Sequence, residues 1–171
     1  SNKLANESSG SVSVYERIRR AMEELGTTYV KLGQMLSDRR DLLPVEMITE
    51  LQKLQDKVEV QPIDIAEKFQ RELGIDIHEH FETLASEPMA SASIGQVFKG
   101  RLKNGQDVAV KIKREGIDEV IKADLLILQD LVNFLEQRND IISNLQPKAL
   151  LNTFKESITT ELSLESERRS I

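Results

Sequence analysis

Apolar residues in the first part of the chain recur three or four positions apart, which is the spacing of one face of an α-helix. This pattern predicts a helix over residues 13–37. Gly26-Thr27-Thr28 interrupts it, because glycine and β-branched residues are poor helix formers. We therefore expect a break or bend there, and a second helix from about Tyr29 to Leu36.

Two prolines mark the next predicted helix starts. Proline fits the first turn of a helix, where its missing N–H is not needed. Pro44 follows a turn and predicts a helix that continues towards Leu54. Pro62 predicts the start of another helix, after an extended stretch, and Gly74 is a suitable C-cap for it.

The period shortens between about Phe81 and Lys113, which indicates strands. Residues Ile94 to Leu102 and Asp107 to Lys113 are predicted to form two of them. Asn104-Gly105 lies between these segments and is the strongest short signal for a β-hairpin. In the second strand, Val108, Val110 and Ile112 alternate with Ala109, Lys111 and Lys113, so the two sets face opposite ways.

Helical spacing returns after Gly116. A helix is predicted over residues 118–138, ended by Asn139-Asp140, and a last helix from about Pro147 to the terminus. The buried stripe predicted for this last helix consists of Leu151, Phe154, Ile158 and Leu162. The order of helices, small antiparallel sheet and helices predicts an α+β fold.

Length and composition limit the class of protein. The chain has 171 residues, which suits one domain, or one lobe with helical extensions. Its net charge of -6 and sequence pI near 5.1 argue against a nucleic-acid partner, which would favour a basic surface. It has no cysteine, which excludes disulfides and thiolate chemistry.

The chain carries no signal for membrane insertion or secretion. Its most apolar stretch, Leu125 to Leu128, is too short to span a bilayer and is flanked by Asp124 and Asp130. No signal peptide is recognisable at the N-terminus. The expected location is the cytoplasm, with peripheral association at the membrane left open, and residues 1–12 are expected to be disordered or tag-like.

One run of small residues indicates a ligand site. Residues Ala90 to Gly95 are small apart from Ile94, and small residues let backbone amides approach a ligand closely. Lys111 follows on the next strand and can reach phosphate oxygens, while Ala109 leaves room for a flat base. The alternative is a turn of small residues beside a solvated lysine, and the spacing alone leaves both open.

Three further patterns have a structural and a functional interpretation. Lys31-Leu32-Gly33-Gln34 could be a functional string, or a surface lysine beside a glycine that packs helices. The last helix carries Glu156, Glu161, Glu165 and Glu167, which form either a solvated acidic face or partners for lysines. His78-Glu79-His80 lacks an evident third ligand, so no metal site is predicted.

Taken together, these strings resemble the UbiB/ADCK family of atypical kinases. The matching segments include Lys31 to Gln34, Arg40 to Pro44, Ala90 to Val97, Val108 to Ile112 and Phe154 to Leu162. The similarity covers nearly everything from about residue 14 onwards. It implies a helical extension over residues 13–80 and a kinase-like N-lobe over residues 81–171, ending in an αC-like helix.

The resemblance also implies roles for single residues. Lys111 corresponds to the strand lysine that contacts nucleotide phosphates, and Glu167 to the helix glutamate that pairs with it. Lys31 and Gln34 correspond to regulatory residues of the K-x-G-Q motif, and Glu161 to the glutamate expected to pair with Lys31. The residues expected to contact the cofactor, ATP or ADP with magnesium, are Ala90, Ser91, Ala92, Ser93, Ile94, Gly95, Val97, Ala109 and Lys111.

The sequence departs from the family pattern in two ways. Ser163 occupies the position of the aspartate in the family's E-x-D motif. The catalytic-loop aspartate, the metal-binding asparagine and the D-F-G-type aspartate of a C-lobe are not found before Ile171, so the magnesium ligands are expected in that lobe. We expect no turnover and weak nucleotide binding from residues 1–171 alone. The apolar surface exposed without a C-lobe also predicts dimerisation or swapping.

Three functions are consistent with these residues. The first is an ATP- or ADP-binding enzyme with kinase-like or ATPase activity, which the resemblance links to ubiquinone and isoprenoid-lipid metabolism and to the membrane surface. The second is a non-catalytic regulatory module, suggested by Ser163. The third is a helical protein of the membrane surface, suggested by residues 118–138.

Overall fold

The computed structural model describes residues 12–56, 58–138 and 145–167, with side chains described up to residue 163. The chain divides into two compact units, the first ending at Gln55 and the second beginning at Asp56. The predicted disordered N-terminus (up to residue 11) and the helix end at Asn139-Asp140 lie outside the described residues.

The first unit consists of three helices: α1 (Val14–Leu25), α2 (Thr27–Leu36) and α3 (Val45–Leu51). The predicted break falls at Gly26, whose φ of 103° is unfavourable for other residues. Helix α2 begins at Thr27 rather than at the predicted Tyr29, because the Gly26 carbonyl accepts hydrogen bonds from the backbone of Tyr29 and Val30. Pro44 is the N-cap of α3, which confirms the predicted start.

The core of the first unit surrounds Gly33. Val30, Met47, Leu51 and Leu54 form a buried cluster. A Cβ added to Gly33 would lie 2.3 Å from Cδ1 of Leu54, so any other residue here would force the Leu54 side chain to shift. The helix-packing interpretation of this glycine is therefore confirmed.

The second unit opens with α4 (Ile65–Leu73) and the short helix α5 (Ile77–His80). The prediction that Pro62 starts α4 is wrong by three residues. Asp64 is the N-cap instead, and its carboxylate accepts a hydrogen bond from the backbone N–H of Glu67 at 2.9 Å. Gly74 is the C-cap in a left-handed conformation, as predicted.

The described sheet has four strands: β1 (Phe81–Leu84), β2 (Ala90–Ser91), β3 (Gly95–Leu102) and β4 (Asp107–Lys113). Strand β3 is central and antiparallel to the other three. Strand β4 pairs along most of one edge of β3, while β1 and β2 share the other edge. The β3–β4 hairpin confirms the predicted strands and turn.

One face of the sheet is packed and the other is open. Phe98 and Ile112 are buried on the packed face against Ile65 of α4. Alternation along β3 and β4 sends Lys99, Ala109 and Lys111 to the opposite face, where all three are exposed. This alternation is the reason that one face forms a core and the other can hold a ligand.

Two long helices complete the second unit: α6 (Ile117–Glu136) and α7 (Pro147–Glu167), which pack together. Leu151, Phe154 and Ile158 are buried on α7, in agreement with the predicted stripe, and Leu162 is half-buried. The α+β fold with the architecture of a kinase-like N-lobe is confirmed. None of the described helices is long and apolar enough to cross a membrane.

Candidate functional site

A row of three paired residues crosses the sheet beside the small-residue loop. Ala90 on β2 pairs with Val97 on β3, and Val97 pairs with Lys111 on β4. Directly paired residues in an antiparallel sheet point to the same face. Lys111 therefore shares its face with Val97 and Ala90, and it lies two residue pairs from the end of the β3–β4 hairpin at which the loop joins β3.

This open face combines small residues with positive charge. Gly95 and Ala109 occupy it beside Val97 and Lys111, because each lies two positions along its strand. Ala90, Ala109 and Lys111 are exposed, and Val97 is half-buried. The structure thus brings together five of the residues predicted to contact a cofactor: Ala90, Gly95, Val97, Ala109 and Lys111.

Two further lysines lie on the same face. Lys99 pairs with Ala109 and is exposed, one row away from Lys111. Lys113 pairs with Gly95, and its ammonium donates to the Asp118 carboxylate at 3.1 Å in the first turn of α6. Lys99 and Lys111 thus give the face two exposed positive charges, while the charge of Lys113 is balanced by Asp118.

The loop itself is shorter and more buried than the sequence indicates. Ala90 and Ser91 form a strand rather than a turn, which leaves Ala92, Ser93 and Ile94 as the connection. Ser93 and Ile94 are buried, and the Ser93 hydroxyl donates to the Asp56 carboxylate. Their side chains pack inward, so a ligand here would contact backbone groups of this connection rather than these side chains.

Arg114 is the residue of this region that sequence reasoning missed. Arg114 is 8% exposed, and its guanidinium donates to the Ala92 carbonyl at 2.9 Å and to the Ser91 hydroxyl at 3.0 Å. It follows β4, where local spacing suggests only another surface cation after Lys111 and Lys113. Its contacts join residues more than 20 positions apart, which no short-range pattern reveals.

The K-x-G-Q residues belong to the first unit, whereas the sheet belongs to the second. Lys31 is half-buried on α2. The Gln34 amide donates to the backbone carbonyl of Leu54 at 3.4 Å, just after α3. The regulatory role assigned to both residues stays a prediction.

The acidic residues expected to pair with lysines lie on α7. Glu161 is half-buried there. The Ser163 hydroxyl donates to the Thr160 carbonyl at 3.2 Å, a bond that an aspartate at this position could not donate when ionised. The side chain of Glu167 lies outside the described residues, so its predicted pairing with Lys111 stays a prediction.

His78, Glu79 and His80 form most of the four-residue helix α5 and are exposed. Among the residues that the structure describes, no group of three or more histidine or acidic side chains could hold a metal ion.

The fold and the open cationic face define a class of protein: an N-lobe of the protein-kinase-like type. Comparison with known proteins is consistent with this class. Residues 53–171 match the family profile of the ABC1 atypical kinase-like domain. The chain therefore belongs to this family, and the UbiB-type resemblance is confirmed.

Several curated relatives are similar to most of this chain. A Marinobacter nauticus protein named "Probable protein kinase UbiB" is 40% identical over 153 residues, which is 89% of this chain and 28% of that protein. Proteins of the same name from Pseudomonas paraeruginosa and Shewanella pealeana are 39% and 40% identical, over 88% and 89% of this chain. The chain spans 28% of the length of each of these relatives.

Proposed function

We propose that this chain supplies the nucleotide-facing lobe of a UbiB-type enzyme that binds ATP or ADP and has kinase-like or ATPase activity. The family resemblance links such activity to ubiquinone and other isoprenoid-lipid metabolism, with the protein at the membrane surface.

The observation that carries the proposal is the row formed by Ala90, Val97 and Lys111. A lysine ammonium among small residues can contact phosphate oxygens, while the small side chains leave space for a flat base on the sheet. Lys111 would hold the phosphates, and Ala109 and Val97 would lie against the base. Residues of the second lobe would supply magnesium ligands, and bound magnesium would neutralise phosphate charge.

Nucleotide titration of the full-length protein tests this role. Lys111→Ala should weaken ATP or ADP binding by about 10- to 100-fold, because a hydrogen bond to a charged group contributes about 1.5–3 kcal/mol. Lys99→Ala is the matched control, since Lys99 lies on the same face one row away. Equal dissociation constants for the Lys111→Ala variant and the wild type would refute the proposal.

A second candidate function is a non-catalytic regulatory module. It is favoured by Ser163, whose hydroxyl is bonded to the Thr160 carbonyl at the position of the family's E-x-D aspartate. Serine lacks the negative charge of an ionised carboxylate, which would attract a divalent cation. Such a module would bind nucleotide without magnesium-dependent turnover.

Turnover assays on Ser163→Asp in the full-length protein separate the two functions. If the protein is an enzyme whose rate of hydrolysis is limited by the missing carboxylate at residue 163, Ser163→Asp should raise magnesium-dependent nucleotide hydrolysis. Ser163→Asn is the uncharged control of similar size. Absence of turnover in all three proteins, with nucleotide binding intact, would favour the regulatory module.

A further inference from the structure

The small-residue loop is hydrogen-bonded to residues 56 and 58–61, which precede α4 and are called the tether segment. Its first contact is the bond from the buried Ser93 hydroxyl to the Asp56 carboxylate. This bond joins the tip of the loop to a residue 37 positions earlier.

The tether segment is also fixed at its other end. The Gln96 amide donates to the Gln61 carbonyl at 2.9 Å and accepts from the Gln61 backbone N–H at 3.1 Å. Gln96 is fully buried, so both halves of its amide are satisfied by one backbone residue. The base of the loop, where β3 begins, is thereby attached to the same segment.

Arg114 joins the loop and the tether segment in the middle. Its Nη2 donates to the Glu59 carbonyl at 3.0 Å and to the Ser91 hydroxyl, while Nε donates to the Ala92 carbonyl. Its backbone N–H donates to the Ile94 carbonyl at 2.9 Å. A planar guanidinium can make these bonds together, whereas a lysine ammonium lacks the fork that spans them.

A buried guanidinium is costly unless hydrogen bonds compensate for its lost hydration. Nη1 of Arg114 is buried and forms no hydrogen bond to another described residue, so its two N–H donors are unused. The described hydrogen bonds of Nε and Nη2 all go to Ser91, Ala92 or Glu59. The guanidinium therefore connects the small-residue loop to the tether segment.

On the basis of the proposed nucleotide site, we propose that Arg114 and the tether segment preorganise the loop for phosphate binding. Alanine and serine form most of the loop. Hydrogen bonds from Arg114 and the tether segment hold it in one conformation in the folded protein without ligand. Arg114 and Ser93 are thus positioning residues, because preordered contacts reduce the entropy lost on binding.

Two measurements on the full-length protein test the preorganisation of the loop. Hydrogen exchange reports how well the loop is ordered, and nucleotide titration reports the affinity. Arg114→Lys keeps the charge but loses the fork, and Ser93→Ala removes only the bond to Asp56. Each should raise amide exchange within residues 91–95 about tenfold and weaken nucleotide binding by a similar factor. Ser93→Ala is the milder change and serves if Arg114→Lys does not fold.

Two controls separate positioning from general stability. Arg101→Lys is the same substitution at an exposed arginine of β3, paired with Asp107 far from the loop. Ile65→Val loosens the core beneath the sheet without touching the loop. Both should leave nucleotide affinity within twofold of the wild type, even where Ile65→Val lowers the melting temperature.

The outcomes are distinct. Faster loop exchange and weaker binding in Arg114→Lys and Ser93→Ala, but not in the controls, supports the inference. Unchanged affinity in both variants overturns it, whether or not loop exchange rises, provided that Lys111→Ala still weakens binding. If the wild type binds no nucleotide, or Lys111→Ala binds as tightly as the wild type, the proposed function itself fails and this inference fails with it.

Discussion

Lys111 and Val97 are directly paired across the β3–β4 hairpin, so their side chains share the open face of the sheet. The opposite face of the same two strands is buried against α4. A one-residue shift in the register would reverse this, turning Lys111 towards the core and Ile112 towards solvent. The geometry of the candidate site therefore depends on the residues that fix the register between β3 and β4.

Gly95 is one residue that holds it. A Cβ at this position would lie 2.6 Å from the backbone oxygen of Ile112, which cannot move without displacing β4. Gly95→Ala should reduce the free energy of unfolding by about 1–3 kcal/mol, the usual cost of overpacking. Chemical denaturation with a probe in the second unit measures this.

Gly100→Ala is the matched control for that substitution. Its Cβ would meet the side chains of Leu84 and Phe81 at 3.1 and 3.2 Å, and side chains can shift more easily than a strand backbone. Its effect should be smaller. A Gly95→Ala protein as stable as the wild type would show that β3 and β4 do not approach this closely.

Gly33 should be similarly intolerant in the first unit. Its added Cβ would clash with Leu54, so Gly33→Ala should reduce the free energy of unfolding by about 1–3 kcal/mol. Leu54→Ala should be destabilising by itself, by about 2–5 kcal/mol, because Leu54 is buried. In the double variant the closest contact is removed, although those with Met22 at 3.0 Å and Leu51 at 3.3 Å remain, so the combined loss should be smaller than the sum. Additive losses would contradict direct contact.

Glu50 makes the stability of the first unit depend on pH. Hydrogen bonds from Lys53 and from Arg19, the latter at 3.0 Å, lower the pKa of Glu50 below its ordinary value of 4.5. Because its pKa is lower in the folded protein, its contribution is complete above the unfolded-state pKa. The contribution is lost as the pH falls through the folded-state pKa.

Melting temperatures measured from pH 7 to pH 3 test this contribution. Glu50→Gln should lower the melting temperature at pH 7 and approach the wild type as the pH falls below the folded-state pKa. Glu24→Gln, at an exposed position of α1, is the control for loss of one charge. A constant difference between Glu50→Gln and the wild type at every pH would contradict the ion-pair explanation.

Local patterns predicted the hairpin well and the loop poorly. The strict alternation from Asp107 to Lys113 and the Asn-Gly turn are short-range signals, and both strand ends of β4 were predicted correctly. The start of α4 was misassigned because the Asp64 side chain, not Pro62, satisfies the first-turn N–H groups. Capping chemistry outweighed the proline signal.

Local patterns likewise predicted some features of the candidate site and missed others. Strand alternation was sufficient to predict that Lys111 and Ala109 share a face. The burial of Ser93 and the role of Arg114 could not be predicted, because their partners Asp56 and Glu59 lie 37 and 55 positions earlier in the chain. Such bonds depend on tertiary structure, which local sequence patterns do not reveal.

The most direct test of the nucleotide site is chemical labelling of its lysine. An acyl-phosphate derivative of ATP transfers its acyl group to a lysine amine held near the phosphates, and peptide mass spectrometry identifies that lysine. In the full-length protein we predict that Lys111 is labelled and that excess ATP or ADP suppresses its labelling, whereas labelling of Lys99 is insensitive to nucleotide. Equal labelling of both lysines, unaffected by nucleotide, would contradict the proposed site.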